Sequence, residues 1–382
     1  VRNEHQLAAH SPTPSASEGV VVNSTPNSQL FRGPATRLRF QVTQNGSQIA
    51  MTADQINRAQ RAILVHQSMY MNCPDDHRLG LLLDSGRLNL DLTSRDLANG
   101  RALYGPCPYC AHANIVRGPQ RPSNNRHSNP PPYPGHSIAV DIIPFASKII
   151  SGDYYCFVSS DVVTGYMLLV FQPAKYTANC LAVLIAIEEF YAIHGFAVKM
   201  FLTDHESNFG GCRSELQSRG IQLDQSSPYD HQEIVERQIR TLRNGKTKAI
   251  AQCTHKLPAH LDGECVNMVA MSFNNCPNNK TGDTTPAFIV TKLKPVADFI
   301  AWGTWGIYPS RGTKKSQGTF AGVVVGHNFS PRGAVTLRVW FPHCNKVLTR
   351  SPTGWGILSG PPVMLNLPVN PSYTAHSRSH IQ

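Results

Sequence analysis

Three carboxylates stand where local structure does not ask for them. Asp141 interrupts the β-forming run IAVDIIPF (138–145), in which a charge is costly to bury. Asp204 closes the short apolar run AVKMFLTD (197–204), and Glu236 lies in the first turns of DHQEIVERQIRTLRNG, which reads as a helix. Taken singly, an acid at a strand end is a cap or turn residue, and Asp141 is a hydrogen-bonded buried acid. Taken together, three carboxylates can hold two Mg²⁺ (or Mn²⁺) ions about 3.5–4 Å apart, one activating a nucleophile and one stabilising a leaving oxygen. Adjacent strands with a helix packed across them would bring the three together.

A second set of residues has metal-ligand spacing. CPYC places Cys107 and Cys110 two residues apart, and His66, Cys73 and His77 lie upstream. Two thiolates and two further N or S donors make a tetrahedral zinc site. The second ligand stays open between Cys73 and His77, and the alternative is a metal-free helical domain. A redox dithiol is disfavoured because no thioredoxin-like βαβ pattern surrounds the pair. The remaining cysteines are scattered, which suits a reducing compartment with one metal site better than a disulfide framework.

Charge points to an anionic partner. The chain of 382 residues carries a formal net charge of +11, which makes nucleic acid the partner to test. Residues 136–235 hold 11 acids and 5 bases, a net of −6, whereas residues 291–350 hold nine bases against Asp298 alone, a net of +8. Chemistry and grip are thus expected on different segments. Arg311, Lys314 and Lys315 belong to the basic segment, with Trp302, Trp305 and Trp340 as packing or stacking residues. Arg240 and Arg243 follow Glu236 at i+4 and i+7, with Lys246 further along the same helix, and would meet phosphates beside the acids. The bland reading of that helix is a solvated basic face. The longest apolar stretch, CLAVLIAIEEFYAIHGFAV (180–198), is broken by Glu188 and Glu189, so no membrane span is expected.

These side chains need elements to hold them. Residues 1–50 are rich in Ser, Asn, Gln, Pro and Gly and read as a disordered tail or linker. From residue 51 the pattern is helical, with Thr52 and Gln55 as a capping box and Ile56, Ala59, Ile63 and His66 on one face. A short second helix closes at Gly86. RPSNNRHSNPPPYPGHS (121–137) is a linker. SIAVDIIPF, YYCFVSSDV and GYMLLVFQ then read as three strands with turns between them. A helix over 178–194, a strand ending at Asp204, a helix near 212–219, the strand IQL, a long helix from about 232 and another over 258–275 follow, the order of an α/β layer fold. TFAGVVVGHNF, AVTLRVWF and KVLTRS close the chain as strands of a small β domain. The first residue is Val1, so a piece of a longer product, a polyprotein, is expected.

The order VDIIPF, FLTDHESNF, QEIVERQIRTL resembles the D,D,E core of retroviral and retrotransposon integrases. The likeness implies a ribonuclease-H-like core, a mixed sheet with flanking helices, in which Asp141, Asp204 and Glu236 are catalytic. Where that family carries Gly in the Gln/Asn-Gly motif before the last acid, this chain has Glu233, which makes Glu233 a rival third carboxylate. The 32 residues between Asp204 and Glu236 are slightly fewer than is usual there. SSDVVTGYMLLV resembles the second and third strands, with Asp161 in a recurrent, non-catalytic place. TTPAFIVTKLKPVADFIAWGTWGIYPS and the β run after it resemble copia-type integrases, and the copia-type likeness spans about residues 55–355. That family carries a His–His–Cys–Cys zinc domain ahead of its core, and its copia-type members place His before the Pro that here follows Cys73.

The resemblance implies residues 1–50 as tail, 51–120 as a helical zinc domain, 121–135 as linker, 136–285 as the catalytic core, 286–360 as a small basic β-barrel-like domain and 361–382 as tail. The implied function is a copia-type retrotransposon integrase that trims the 3′ ends of element DNA and joins them to target DNA. Mg²⁺ (or Mn²⁺) and Zn²⁺ would be its cofactors. It would act as a homo-oligomer on DNA, inside the cell and in the nucleus after import of a cytoplasmic particle. The competing readings are a transposase or nuclease on the same fold, or a decayed or domesticated copy that only binds DNA.

Overall fold

The structure is a computed structural model that describes residues 39–44, 47–68, 76–110, 130–225, 232–253, 255–294, 300–309, 319–329, 335–352 and 355–358. Its first element lies inside the expected tail. Strands β1 (Arg39–Gln44) and β2 (Ser47–Thr52) pair antiparallel with Gln44 opposite Ser47. The signal was in the sequence: Asn45-Gly46, the strongest two-residue hairpin dipeptide, is flanked by alternating apolar residues.

Three helices follow: α1 (Ala53–Ser68), α2 (Asp76–Asp84) and α3 (Ser94–Tyr104). The expected capping box forms at the start of α1, where Thr52 N–H donates to Gln55 Oε1 at 2.9 Å and Gln55 N–H to Thr52 Oγ1 at 3.2 Å. Helix α3 has a second capping box, Thr93 with Asp96, which the sequence reading missed. Arg58 of α1 bonds Asp96 at 2.9 and 3.1 Å. Gly100 lets α3 approach α1 closely, since a Cβ there would come within 2.6 Å of Ile63. This close crossing sets the last turn of α1, with His66, against the residues that follow α3.

The central layer is a five-stranded mixed sheet of order β5-β4-β3-β6-β7. It comprises β3 (Ser137–Pro144), β4 (Tyr155–Asp161), β5 (Met167–Gln172), β6 (Met200–Thr203) and β7 (Gln222–Gln225). The first three are antiparallel, and β6 and β7 run parallel to β3. Helix α4 (Thr177–Ile193) covers one face, packing Val183, Leu184, Ile187 and Tyr191 on Ile138, Val140, Phe157 and Phe201. After α5 (Ser207–Gly210) and α6 (Arg213–Ser218), the long helix α7 (Gln232–Ala251) covers the other face, laying Val235, Ile239 and Leu242 on Ala139, Val158 and Leu202. The strand alternation between the two helix layers is what positions the acids. Asp161, at the end of β4, is buried and accepts the Gly135 N–H at 3.0 Å and the Thr164 N–H at 2.9 Å, a turn-holding role.

Helices α8 (Asp262–Asn274) and α9 (Pro286–Thr291) complete the layer, and Val290 of α9 is buried in the same core as β3. The C-terminal strands β8 (Trp305–Pro309), β9 (Thr319–Phe329), β10 (Val335–Phe341), β11 (Lys346–Arg350) and β12 (Gly356–Ile357) form a sheet of order β11-β10-β9-β8-β12. Its edge strands β11 and β12 are not paired with each other among the described residues. The sheet is not a free-standing module. Trp302, Trp305 and Trp340 are all buried, in one cluster with Ala249, Cys265 and Met268 of α7 and α8. Arg338 and Glu264 form an ion pair across the same seam.

Candidate functional site

Asp141 and Asp204 reach one face of the sheet by register. Strands β3 and β6 run parallel with Val140 opposite Thr203, so each aspartate is the next residue beyond a registered pair. Ile138, Val140 and Phe201 face α4, whereas Ala139 and Leu202 face α7. Alternation carries Asp141 and Asp204 to the α7 side. Glu236 is exposed on α7 immediately after the buried Val235. Arg240 and Arg243 are exposed on the same helix.

The electrostatics at Asp141 register its acidic neighbours. The Asp141 carboxyl is pushed up to about 6, first by burial and then by the negative charges of Asp204, Glu206 and Glu236, against the Ile142 N–H that it accepts at 2.7 Å. Asp204 is raised too, by burial and by the charge of Glu206. Carboxyls raised by burial and by neighbouring negative charge are in the condition that a divalent cation relieves. Asp204 Oδ1 and Glu206 Oε2 are buried without a hydrogen-bond partner among the described residues. Oxygen donors of this kind fit Mg²⁺ or Mn²⁺.

Glu206 was missed by the sequence reading, although it stands two residues after Asp204. Its Oε1 accepts from Lys175 Nζ at 3.1 Å. Gln225 of β7 fixes the backbone here, donating from Nε2 to Glu206 O at 3.1 Å and to Asp204 O at 3.4 Å. Arg213 orients Gln225 through its Oε1 at 3.1 Å. For the rival Glu233, helix α7 includes its backbone, and its side chain lies outside the described residues.

The second cluster is His66, Cys107 and Cys110, whose ligand atoms all lie within 4.8 Å of one another. His66 Nε2 is 3.4 Å from Cys110 Sγ, and His66 Nδ1 is buried with no hydrogen-bond partner among the described residues. Cys107 is drawn well below the usual thiol range by its hydrogen bond to Cys110 and by His66, against burial, while Cys110 is pushed up by that same hydrogen bond and by burial. Two thiols and an imidazole are donors that zinc prefers, so the set fits it. His77 is exposed and stands outside this cluster, and Cys73 lies outside the described residues. No disulfide joins the nine cysteines among the described residues.

The expected DNA contacts divide. Lys246 is not on the open basic face: its Nζ is 2.6 Å from Asp262 Oδ2, because helix α8 packs beside this part of α7. Arg311, Lys314 and Lys315 lie outside the described residues. Among the described residues, no helix is long and apolar enough to cross a membrane.

No protein-family model and no curated protein matches the chain. Among solved structures, it is similar to the HTLV-2 integrase catalytic core domain in complex with magnesium (trimeric form), at 16% identity and a TM-score of 0.33, over 42% of this chain and 98% of that one. It is also similar to the catalytic core domain of BIV integrase, at 17% identity and a TM-score of 0.31, over 41% of this chain and 95% of that one.

Proposed function

We propose that the chain is a metal-dependent polynucleotidyl transferase, the integrase of a copia-type retrotransposon. The observation that carries this reading is the placement of Asp141 and Asp204 on one sheet face by parallel register, beneath the helix that bears Glu236, with Asp141 raised by burial and by the charges of its acidic neighbours. The sequence resemblance supplies the substrate, element DNA ends and target DNA.

Bound divalent cations would supply Lewis-acid activation of the attacking and leaving oxygens. Asp141 and Asp204 would hold them from the strand ends and Glu236 from the helix. Arg240 and Arg243 would seat DNA phosphates beside the acids. Water would first attack a phosphodiester near the 3′ end, forming a P–O bond as the P–O3′ bond breaks, which frees a 3′-OH and releases a short fragment that carries the phosphate at its 5′ end. That hydroxyl would then attack a target phosphodiester, forming one P–O bond as another breaks. His66, Cys107 and Cys110 would bind structural zinc, with Cys73 or His77 as the further ligand. Oligomeric assembly on DNA and action in the nucleus follow from the same resemblance.

The test is 3′ processing and strand transfer on element-end oligonucleotides with Mg²⁺ or Mn²⁺, comparing the native chain with Asp141→Asn. Metal-dependent joining that Asp141→Asn abolishes is the expected result. Joining that survives the substitution removes the mechanism, and DNA binding without joining by the native chain favours a binding protein.

A further inference from the structure

Asp141 and Asp204 are held by different means. Asp141 lies inside a ladder: it pairs with Val158 of β4, and that pairing runs on to Pro144 opposite Tyr155. Asp204 lies one step past the registered pairs of β6 on both sides. The last of these are Thr203 with Val140 of β3 and Thr203 with Gln225 of β7. Ladder hydrogen bonds fix the backbone of a strand, so a residue just beyond them needs another anchor.

The anchor is the Gln225 side chain. Its Nε2 donates to Glu206 O at 3.1 Å and to Asp204 O at 3.4 Å, the second at the long, weaker end of the range. Its Oε1 accepts from Arg213 Nη2 at 3.1 Å, while Arg213 Nη1 donates to Leu223 O at 3.0 Å. A guanidinium only donates and a carbonyl only accepts, so these partners admit one orientation of the amide. Gly210 lets the chain pass close by, since a Cβ there would come within 3.3 Å of Gln225 Oε1. Lys175 Nζ holds Glu206 Oε1 at 3.1 Å. The turn after Asp204 is thus tied to β7 through its backbone and to the segment before α4 through the Glu206 side chain.

We propose that Gln225, aimed by Arg213, is a positioning residue for Asp204 in the proposed divalent-metal site, doing beyond the end of the sheet what the ladder does for Asp141. The inference rests on the metal reading above. It makes the direction of the Asp204 carboxylate preset, so that a cation need not order it on binding. Loss of the Gln225 donor should then weaken metal binding although every acid is still present.

The test uses the full chain and Mn²⁺ alone. Affinity is measured by calorimetry for the native chain, Gln225→Met, Arg213→Met and the double variant, each at a temperature where it is folded. Gln225→Met keeps the length, removes the donor and should bind Mn²⁺ about 10–100-fold more weakly. Arg213→Met should lose about two- to tenfold, the worth of one hydrogen bond. The double variant should match Gln225→Met, because Arg213 acts through Gln225. In joining assays Gln225→Met should lower kcat and leave KM for DNA unchanged. Native affinity in Gln225→Met, losses that add in the double variant, or an effect confined to KM overturns the proposal. Should Gln225→Met not fold, native affinity in Arg213→Met overturns it. A folded native chain that binds no Mn²⁺ is a separate result: it removes the metal reading itself, and this proposal with it.

Discussion

Asp141 and Asp204 stand side by side because the strands before them run parallel with Val140 opposite Thr203. Substituting Asn for either keeps the shape and removes the charge. Both steps of the proposed reaction should fall by at least about 10²–10³-fold, the range for removing a principal electrostatic partner of a transition state. Asp141→Asn should also leave the metal-free protein at least as stable at neutral pH, because it removes a repelled carboxylate. Joining assays and thermal melts without metal check the two halves together.

Asp141 should make metal binding pH-dependent. Its folded pKa of about 6 lies above the ordinary 3.8, so between those values the folded state holds the proton more tightly than the unfolded one. Stability from this group is therefore full below the ordinary value and lost as pH rises through about 6. A cation needs the ionised form. Apparent Mn²⁺ affinity should fall as pH drops through about 6, by up to about tenfold per unit for one displaced proton. Calorimetric titrations in buffers of different ionisation heat should show the proton released on binding. An affinity flat across that range would place Asp141 outside the metal site.

Zinc should be present at about one per chain. Cys73→Ser and His77→Asn separate the two possible further ligands, since only one should lower zinc content. His77 is exposed and outside the cluster, so His77→Asn is expected to retain the metal. Elemental analysis of the purified variants decides it.

The basic segments should contribute differently. Neutralising Arg311, Lys314 and Lys315 together should weaken binding to any DNA and flatten its salt dependence, by about one unit of slope for each phosphate no longer neutralised. Replacing Arg240 and Arg243 with Ala should reduce joining more than binding, because they lie on the helix of Glu236. Lys246→Ala should affect stability before DNA binding, since Lys246 is paired with Asp262. Binding isotherms at several salt concentrations, set beside joining rates, test all three. A triple variant with native affinity and slope would make the segment a solvated or protein-binding surface.

The C-terminal sheet should unfold with the core. Arg338→Ala leaves Glu264 as a mostly buried, unpaired carboxylate, its side chain 10% exposed. A destabilisation of about 2–3 kcal/mol is expected, below the roughly 3–5 of a fully buried pair because Arg338 is partly solvated. Denaturant melts should show one cooperative transition shifted to lower denaturant. Two separate transitions would mean an independent sheet.

Some of this was written locally and could be read locally. The alternation of SIAVDIIPF, the capping box of Thr52 with Gln55 and the apolar face of the helix from 232 depend on neighbours within a few residues, so they were legible as strand, helix start and packed helix. The Asn45-Gly46 hairpin was equally local and was passed over as tail. The types and spacing of Asp141, Asp204 and Glu236, and of His66, Cys107 and Cys110, are features of the sequence itself and single these residues out as candidates. What local pattern could not decide was which residues meet across long separations. Parallel register alone sets Asp141 beside Asp204. Packing of α8 against α7 alone sets Lys246 beside Asp262. The C-terminal sheet becomes part of the core only because Trp302, Trp305 and Trp340 find their apolar surface on α7 and α8. Lys248 reads in the sequence as one more basic residue of a helix. Only the packing around α7 leaves it 6% exposed, a burial that no local pattern announces because it depends on residues distant in the chain.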